Sequence, residues 1–277
     1  MRIIYVIALS CLVSILLLSC QSEPARTGVV PLCRAHAHND YKHSRPLVDA
    51  LAHGFTSVEA DIFLIDGELY VAHASHEITP ERTLRSLYLD PLRKRIARNG
   101  GCVYPNGPLF TLLIDIKSAA VPTYEVLDRI LAEYQDIFTS YSVDGRNDKA
   151  VLAIVSGNRP RALMESQKHR FAAYDGRLTD LDSDAPADLI PLISDNWTKH
   201  FTWKGIGVMP AKERRKLSAI VQSAHRKGRR VRFWATPDNP SAARQAMWRE
   251  LILAGVDLIN TDDLDGLQQF LLANQAR

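Results

Sequence analysis

Pairs of polar residues two apart recur along the first half of the chain: His36 and His38, Glu59 and Asp61, Asp115 and Lys117. Each pair closes an apolar run, and a spacing of two puts both members on one face of a β-strand. If the apolar neighbours Val58, Ala60 and Ile62 turn outward, Glu59 and Asp61 share an interior where uncompensated anions are costly to desolvate. A bound divalent cation removes that cost. Ligation by oxygen alone suits a hard cation, Mg²⁺ or Ca²⁺, better than zinc, and Asp115 brings a further carboxylate to the same rim. Asp66-Gly67 is a hairpin signal between Phe63-Leu64-Ile65 and Leu69-Tyr70-Val71, which predicts that His73 returns to the rim that Asp61 leaves. Two histidines beside a carboxylate-bound cation can act as general base and general acid. Taken singly, each pair has a plainer reading, since acids at strand ends are commonly exposed or salt-bridged and an H-x-H can lie in a core. The succession of all the pairs on consecutive strands, together with His73, favours chemistry.

Those residues need a frame that gathers strand ends. From Val30 onward, strand-like apolar runs alternate with amphipathic helices, the signature of a parallel sheet with helical crossovers. The predicted strands are Pro31–His36, Ser57–Leu64, Phe110–Ile116, Val151–Val155, Arg170–Tyr174, Leu189–Ile193, Arg230–Trp234 and Asp257–Asn260. Pro122 opens a helix with Leu127, Ile130, Leu131, Tyr134 and Phe138 on one face. Pro210 opens another with Leu217, Ile220, Val221 and Ala224, stopped by Gly228, and a third runs from near Pro240 to Gly255. Eight strands without an interdomain linker predict an α/β fold, a single-domain TIM (β/α)8 barrel over residues 32–277, whose chemistry belongs at the C-terminal ends of the strands.

The motifs together resemble those of the phosphatidylinositol phospholipase C and glycerophosphodiesterase superfamily. H-N-D-Y at His38–Tyr41 is similar to the S-H-N-T-Y of the phospholipase C box, and E-A-D at Glu59–Asp61 to its E-L-D. Asp66-Gly67 to His73 resembles D-G-x-x-V-x-x-H, and Asp115-Ile116-Lys117 the E-I-K strand. Trp234-Ala235-Thr236 and Gly255 to Asp262 resemble the strands that close the glycerophosphodiesterase barrel. The H-x-H-N-D-Y and E-A-D combination is most similar to the subgroup of altered-inheritance-of-mitochondria proteins. The resemblance implies metal ligation by Glu59, Asp61, Asp115 and Asn39, an acid–base pair in His38 and His73, and substrate contacts from Lys117 and Trp234. His36 is the competing catalytic histidine. His38 is preferred because it directly precedes Asn39 and lies nearer the strand's C-terminal end; His36, one layer deeper, would orient its neighbours. The sequence departs from glycerophosphodiesterases in lacking H-R-G and E-N-T, in having Asp115 for Glu, and in Ala74 after His73.

The expected activity is metal-dependent hydrolysis of a phosphodiester, either a small molecule or a lipid headgroup. The rivals are an H-x-H metal hydrolase of the amidohydrolase or PHP type, which wants further histidines at later strand ends, and a binding barrel without turnover. His169 and His225 do not fall at strand ends. Lesser features have plain readings that are preferred to functional ones: Arg177 as a surface ion pair over a bidentate phosphate contact, Trp197, His200 and Trp203 as cover for the barrel edge over a pocket lining, and Asp262 and Asp263 as N-caps of the last helix.

Ahead of the barrel, Ile3 to Leu18 is an apolar run behind Arg2, and Ser19-Cys20 closes it as a lipoprotein signal would. Residues 1–19 are expected to be a signal peptide and 20–31 a tether, so the protein is exported to a bacterial cell envelope and anchored to the membrane by lipid on Cys20. Cys33 and Cys102 then remain, with no zinc-site spacing. Net charge is +3 with acids and bases interspersed, so nucleic acid is not an expected partner.

Overall fold

The computed structural model describes residues 28–275, so the expected signal peptide and Cys20 lie outside the described residues. Eight parallel strands form a closed ring: β1 (Leu32–Ala37), β2 (Phe55–Ile65), β3 (Phe110–Ile116), β4 (Val151–Gly157), β5 (Ala172–Gly176), β6 (Leu192–Asn196), β7 (Arg230–Trp234) and β8 (Leu258–Thr261). Each pairs with its sequence neighbour, and β8 pairs back onto β1. All eight predicted strands are present and the TIM barrel is the observed fold, with ends displaced by a few residues because burial, not propensity, decides where pairing stops. Alternation explains the two cores. Outward residues such as Val58, Ala60, Leu112, Ile114, Val231 and Phe233 join the layer of apolar side chains beneath the helices. Inward residues Leu113, Leu152, Ile154, Ala173, Leu192 and Leu258, with Tyr141, form a separate apolar floor inside the ring.

The helices are α1 (Val48–Ala52), α2 (Asp90–Arg98), α3 (Ala120–Ala132), α4 (Arg161–Ser166), α5 (Trp197–His200), α6 (Ala211–Arg226), α7 (Ala242–Ala254) and α8 (Leu264–Gln275). α6 and α7 follow their sequence signals, whereas α3 starts two residues before Pro122 and ends at Ala132, so Tyr134 and Phe138, expected on its face, lie beyond it, both buried. α3 buries Leu127, Ile130 and Leu131, and α6 buries Leu217, Ile220, Val221 and Ala224. The α7 N-terminus is capped by Ser241 Oγ on Arg244 N, and its C-terminus by Gly255 at φ +85°. No helix among the described residues is long and apolar enough to cross a membrane. Cys33 and Cys102 are both free.

Register carries the inward residues to one rim. On neighbouring strands Asp61 pairs with Asp115, and Asp115 with Ser156, so their side chains stand side by side. Likewise His36 lies beside Ser57 and Asn260. The hairpin forms as expected. Asp66 and Gly67 take φ +49° and +83°, the mirror-image turn that matches strand twist, and Glu68–Val71 pairs antiparallel with β2. Ala72 N then bonds the Asp61 carbonyl, which sets His73 at the rim.

Candidate active site

A cavity of about 210 Å³ opens at the C-terminal end of the ring. Its walls include His38, Asn39, Glu59, Asp61, His73, Asp115, Lys117 and Trp234, together with Ser156, Arg177, Ser194 and Arg232. Every predicted site residue except His36 therefore meets in one place. His36 lies beneath, fully buried, with Nδ1 2.7 Å from Ser57 Oγ and Nε2 3.3 Å from Glu59 Oε2. Burial, and then the Arg232 charge, push its pKa down to about 3, so the ring is neutral: Nε2–H donates to Glu59 while Nδ1 accepts from Ser57. Both ring nitrogens are engaged, which leaves no ligand for a transition metal. His169 and His225 are elsewhere, the latter on Asp257 at 2.8 Å, so an H-x-H metal centre lacks its partners.

The carboxylates Glu59, Asp61 and Asp115 offer oxygens that lie within 4.8 Å of one another. They are not equivalent. Burial would raise the Glu59 pKa, but Arg232, whose Nη2 is 2.6 Å from Oε2, more than offsets it and holds Glu59 below the ordinary carboxylate range. Arg232 also donates from Nε to Asn260 Oδ1 at 2.8 Å. Asp61 is raised, by burial first and then by Glu59. Burial pushes Asp115 up to about 6 against the pull of Lys117. The Lys117 ammonium stands 3.0 Å from Asp61 Oδ2 and 3.1 Å from Asp115 Oδ1, and these acids raise its pKa over the opposing effect of burial. Asp61 Oδ1 is buried without any partner. An orphaned buried acceptor on an ionisable group is an expense that a cation would relieve. Hard oxygen donors, crowded and partly unsatisfied, fit a divalent ion. Gly157, at φ +66°, is fixed by this crowding, because a Cβ there would lie 2.1 Å from Asp115 Oδ1.

Tyr41 was not foreseen. Its hydroxyl lies 2.6 Å from Asp61 Oδ2, 2.7 Å from Asn39 Oδ1 and 3.0 Å from His73 Nδ1. With a single proton it donates to one acceptor at a time, and it accepts from His73 Nδ1–H, which turns His73 Nε2 away from that contact. His38 is held in a similar way: Nδ1 is 2.7 Å from Asp262 Oδ1, leaving Nε2 free. Asp262 is thus a partner of His38, not a helix cap. The cap is Asp263, whose Oδ1 accepts from Gly266 N. Asp262 is positioned in turn by Asp238, which accepts from Asp262 N and Thr261 Oγ1.

The opposite wall also differs from expectation. Arg177 is no surface pair. Its Nη1 is 2.7 Å from the wholly buried Asp175, which also accepts from Ser156 and Ser194 at 2.7 and 2.6 Å. Asp175 fixes the guanidinium at the cavity wall, and its charge raises the Arg177 pKa although burial works the other way. Trp197 and Trp203 are buried off the cavity and cover the barrel edge, as read from the sequence. Of the missed groups, Arg232 left a signal: it alternates with Trp234 in Arg-Val-Arg-Phe-Trp, so it faces inward with it.

A profile of the AIM6-like phosphodiesterase domain matches residues 24–175, and one of the glycerophosphoryl diester phosphodiesterase family matches residues 230–265. The chain is 30% identical to altered inheritance of mitochondria protein 6 of Eremothecium gossypii over 291 residues, covering 90% of this chain and 73% of that one. It is 29% identical to the homolog from Arthroderma benhamiae over 274 residues, covering 88% and 85%. Among solved structures, a glycerophosphoryl diester phosphodiesterase from Parabacteroides distasonis superposes with a TM-score of 0.52 at 14% identity, covering 89% of this chain and 88% of that one. That last likeness is one of fold.

Proposed function

The chain belongs to the AIM6-like phosphodiesterase domain family, and on that premise we propose that it hydrolyses a phosphodiester with His38 and His73 as acid–base pair around a divalent cation. The observation that carries this reading is the meeting of both histidines, each with one ring nitrogen anchored, in a cavity shared with the Glu59, Asp61 and Asp115 carboxylates. Those carboxylates, with Asn39 beside them, would hold Mg²⁺ or Ca²⁺. When bound, such an ion neutralises phosphoryl oxygens as negative charge builds on them.

The protein's own groups do the remainder. Lys117 and Arg177 offer N–H donors to the nonbridging oxygens, and the ammonium turns from Asp61 and Asp115 to do so. His38 Nε2 takes the proton of the attacking water or substrate hydroxyl, and Asp262 steadies the imidazolium that results, as a buttressing carboxylate does in other acid–base pairs. His73 delivers a proton to the leaving oxygen. Charge balance supports a monoanionic diester. The wall carboxylates Glu59, Asp61 and Asp115, with Asp175 buried behind Arg177, outnumber the cations Lys117, Arg177 and Arg232 by one. A divalent cation reverses the excess to one positive charge, which one phosphodiester cancels. Asp262 is 55% exposed and screened by water.

The test is turnover of bis-p-nitrophenyl phosphate and of glycerophosphodiesters, with Mg²⁺ or Ca²⁺ and after chelation. Activity that needs the ion, and that falls by about 10²-fold or more in Asp61→Asn, is expected. Full activity in chelator would overturn the metal part of the reading, and no turnover of any diester would overturn the whole.

A further inference from the structure

The connection from β6 to α6 leaves the ring at the rim of the cavity, where Ser194 of β6 and Trp234 of β7 form part of the wall. It presents Ile206 at 79% exposure and Val208 at 84%. Two large aliphatic side chains held almost wholly in water by a slack loop would mean little, but this loop is braced. Trp203 Nε1 donates to the Ile206 carbonyl at 3.0 Å, Trp197 Nε1 donates to the Trp203 carbonyl at 2.7 Å, and Glu213 accepts from Thr202 N, Thr202 Oγ1 and Trp203 N. Gly205, at φ +85°, lies so close to the first turn of α7 that a Cβ would come within 2.0 Å of the Ala243 carbonyl. The turn is therefore pinned with its apolar tip outward.

Exposed charge along the loop has one sign. Lys199, Lys204 and Lys212 are exposed, while Glu213, the sole acid from Trp197 to Glu213, is occupied inside the loop. An apolar point flanked along the loop by exposed lysines, with the carbonyl at its apex already bonded, is what enters the head-group layer of an anionic bilayer at low cost. The geometry points to this loop as a membrane-seating tip that sets the cavity mouth against an anionic lipid surface. This deepens the phosphodiesterase reading by placing its diester at a lipid surface, although the docking itself stands on the loop alone.

The experiment uses the full chain with vesicles of phosphatidylglycerol or phosphatidylcholine whose acyl chains are brominated. In Ile206→Trp the added fluorescence should be quenched by brominated phosphatidylglycerol, more weakly by phosphatidylcholine, and less at high salt. Leu253→Trp, at a site equally exposed on the outer face of α7, should not be quenched. The pair Ile206→Ser and Val208→Ser should lower turnover of a vesicle-embedded diester by at least about tenfold while sparing soluble bis-p-nitrophenyl phosphate. Quenching equal at both tryptophans, or undiminished vesicle turnover in the double variant, overturns the tip. Quenching at Ile206→Trp in a protein that cleaves no diester upholds the tip and sinks the catalytic reading instead.

Discussion

At the scale of single residues, the two histidines of Ala35-His36-Ala37-His38 have separate fates. His38 keeps Nε2 free at the cavity and His36 spends both nitrogens below it. His38→Ala and His73→Ala should each lose about 10²–10⁴-fold in kcat with metal affinity little changed, measured by steady-state kinetics and calorimetry. His36→Ala should lose less activity and instead about 1–3 kcal/mol of stability, because it strips a buried partner from Ser57 and Glu59. The reverse ranking, in folded variants, would assign catalysis to His36. Lys117 gives a sharper expectation. Its ammonium occupies the gap between Asp61 and Asp115 in which a cation would sit. Lys117→Met should therefore bind Mg²⁺ or Ca²⁺ about tenfold more tightly while losing turnover, since a competing charge and a phosphate donor go together. Unchanged or weaker binding by calorimetry would show that the ion does not compete for that gap. Ligand-type residues were legible because short spacing marked them. Arg232 and Asp262 were less so: alternation with Trp234 turns Arg232 inward, but their partners Glu59 and His38 lie 173 and 224 residues away, so no local spacing gives their roles.

Among the elements, those with strong local signals came out as read: apolar strand runs, the Asp66-Gly67 turn, and the proline and glycine ends of α6 and α7. The segment from Asn39 to Leu47 had no such signal, because one buried carboxyl organises it. Asp40 Oδ2 accepts from Leu47 N at 2.6 Å and Tyr88 OH at 2.9 Å, and Leu47 sits at φ +62°, where a bulky side chain is strained. Burial pushes the Asp40 pKa up to about 7 against those two bonds, from 3.8 in an unfolded chain. Between these values the folded protein binds more protons than the unfolded one. Its contribution to stability is complete below about pH 4 and is lost as pH rises through about 7, by roughly 4 kcal/mol. Asp40→Asn should flatten this slope, seen as urea midpoints that differ less between pH 5 and pH 8 than those of the parent. An unchanged slope would move the titration to another group.

For the whole molecule, the barrel separates two ends with different duties. The cavity mouth opens at the C-terminal rim, whereas the chain enters β1 at Leu32, on the opposite face. Lipid on Cys20 remains our proposal for how the protein is held, and mass spectrometry of the membrane fraction with Cys20→Ala as control checks it; full membrane retention of that variant would sink it. Granting that anchor, distance becomes a constraint. Residues 20–31 drawn straight reach at most about 40 Å, and β2, whose 11 residues run past the ring into the hairpin arm, spans about 36 Å. The leash is barely as long as the body it holds. To graze the sheet it is moored in, the barrel must lie on its side with the leash taut along its flank; upright, it faces whatever surface lies across from it. Removing five residues from 21–31 should leave soluble diesters untouched and forbid the first posture, so loss of turnover on the anchoring membrane alone would show which way the mouth looks.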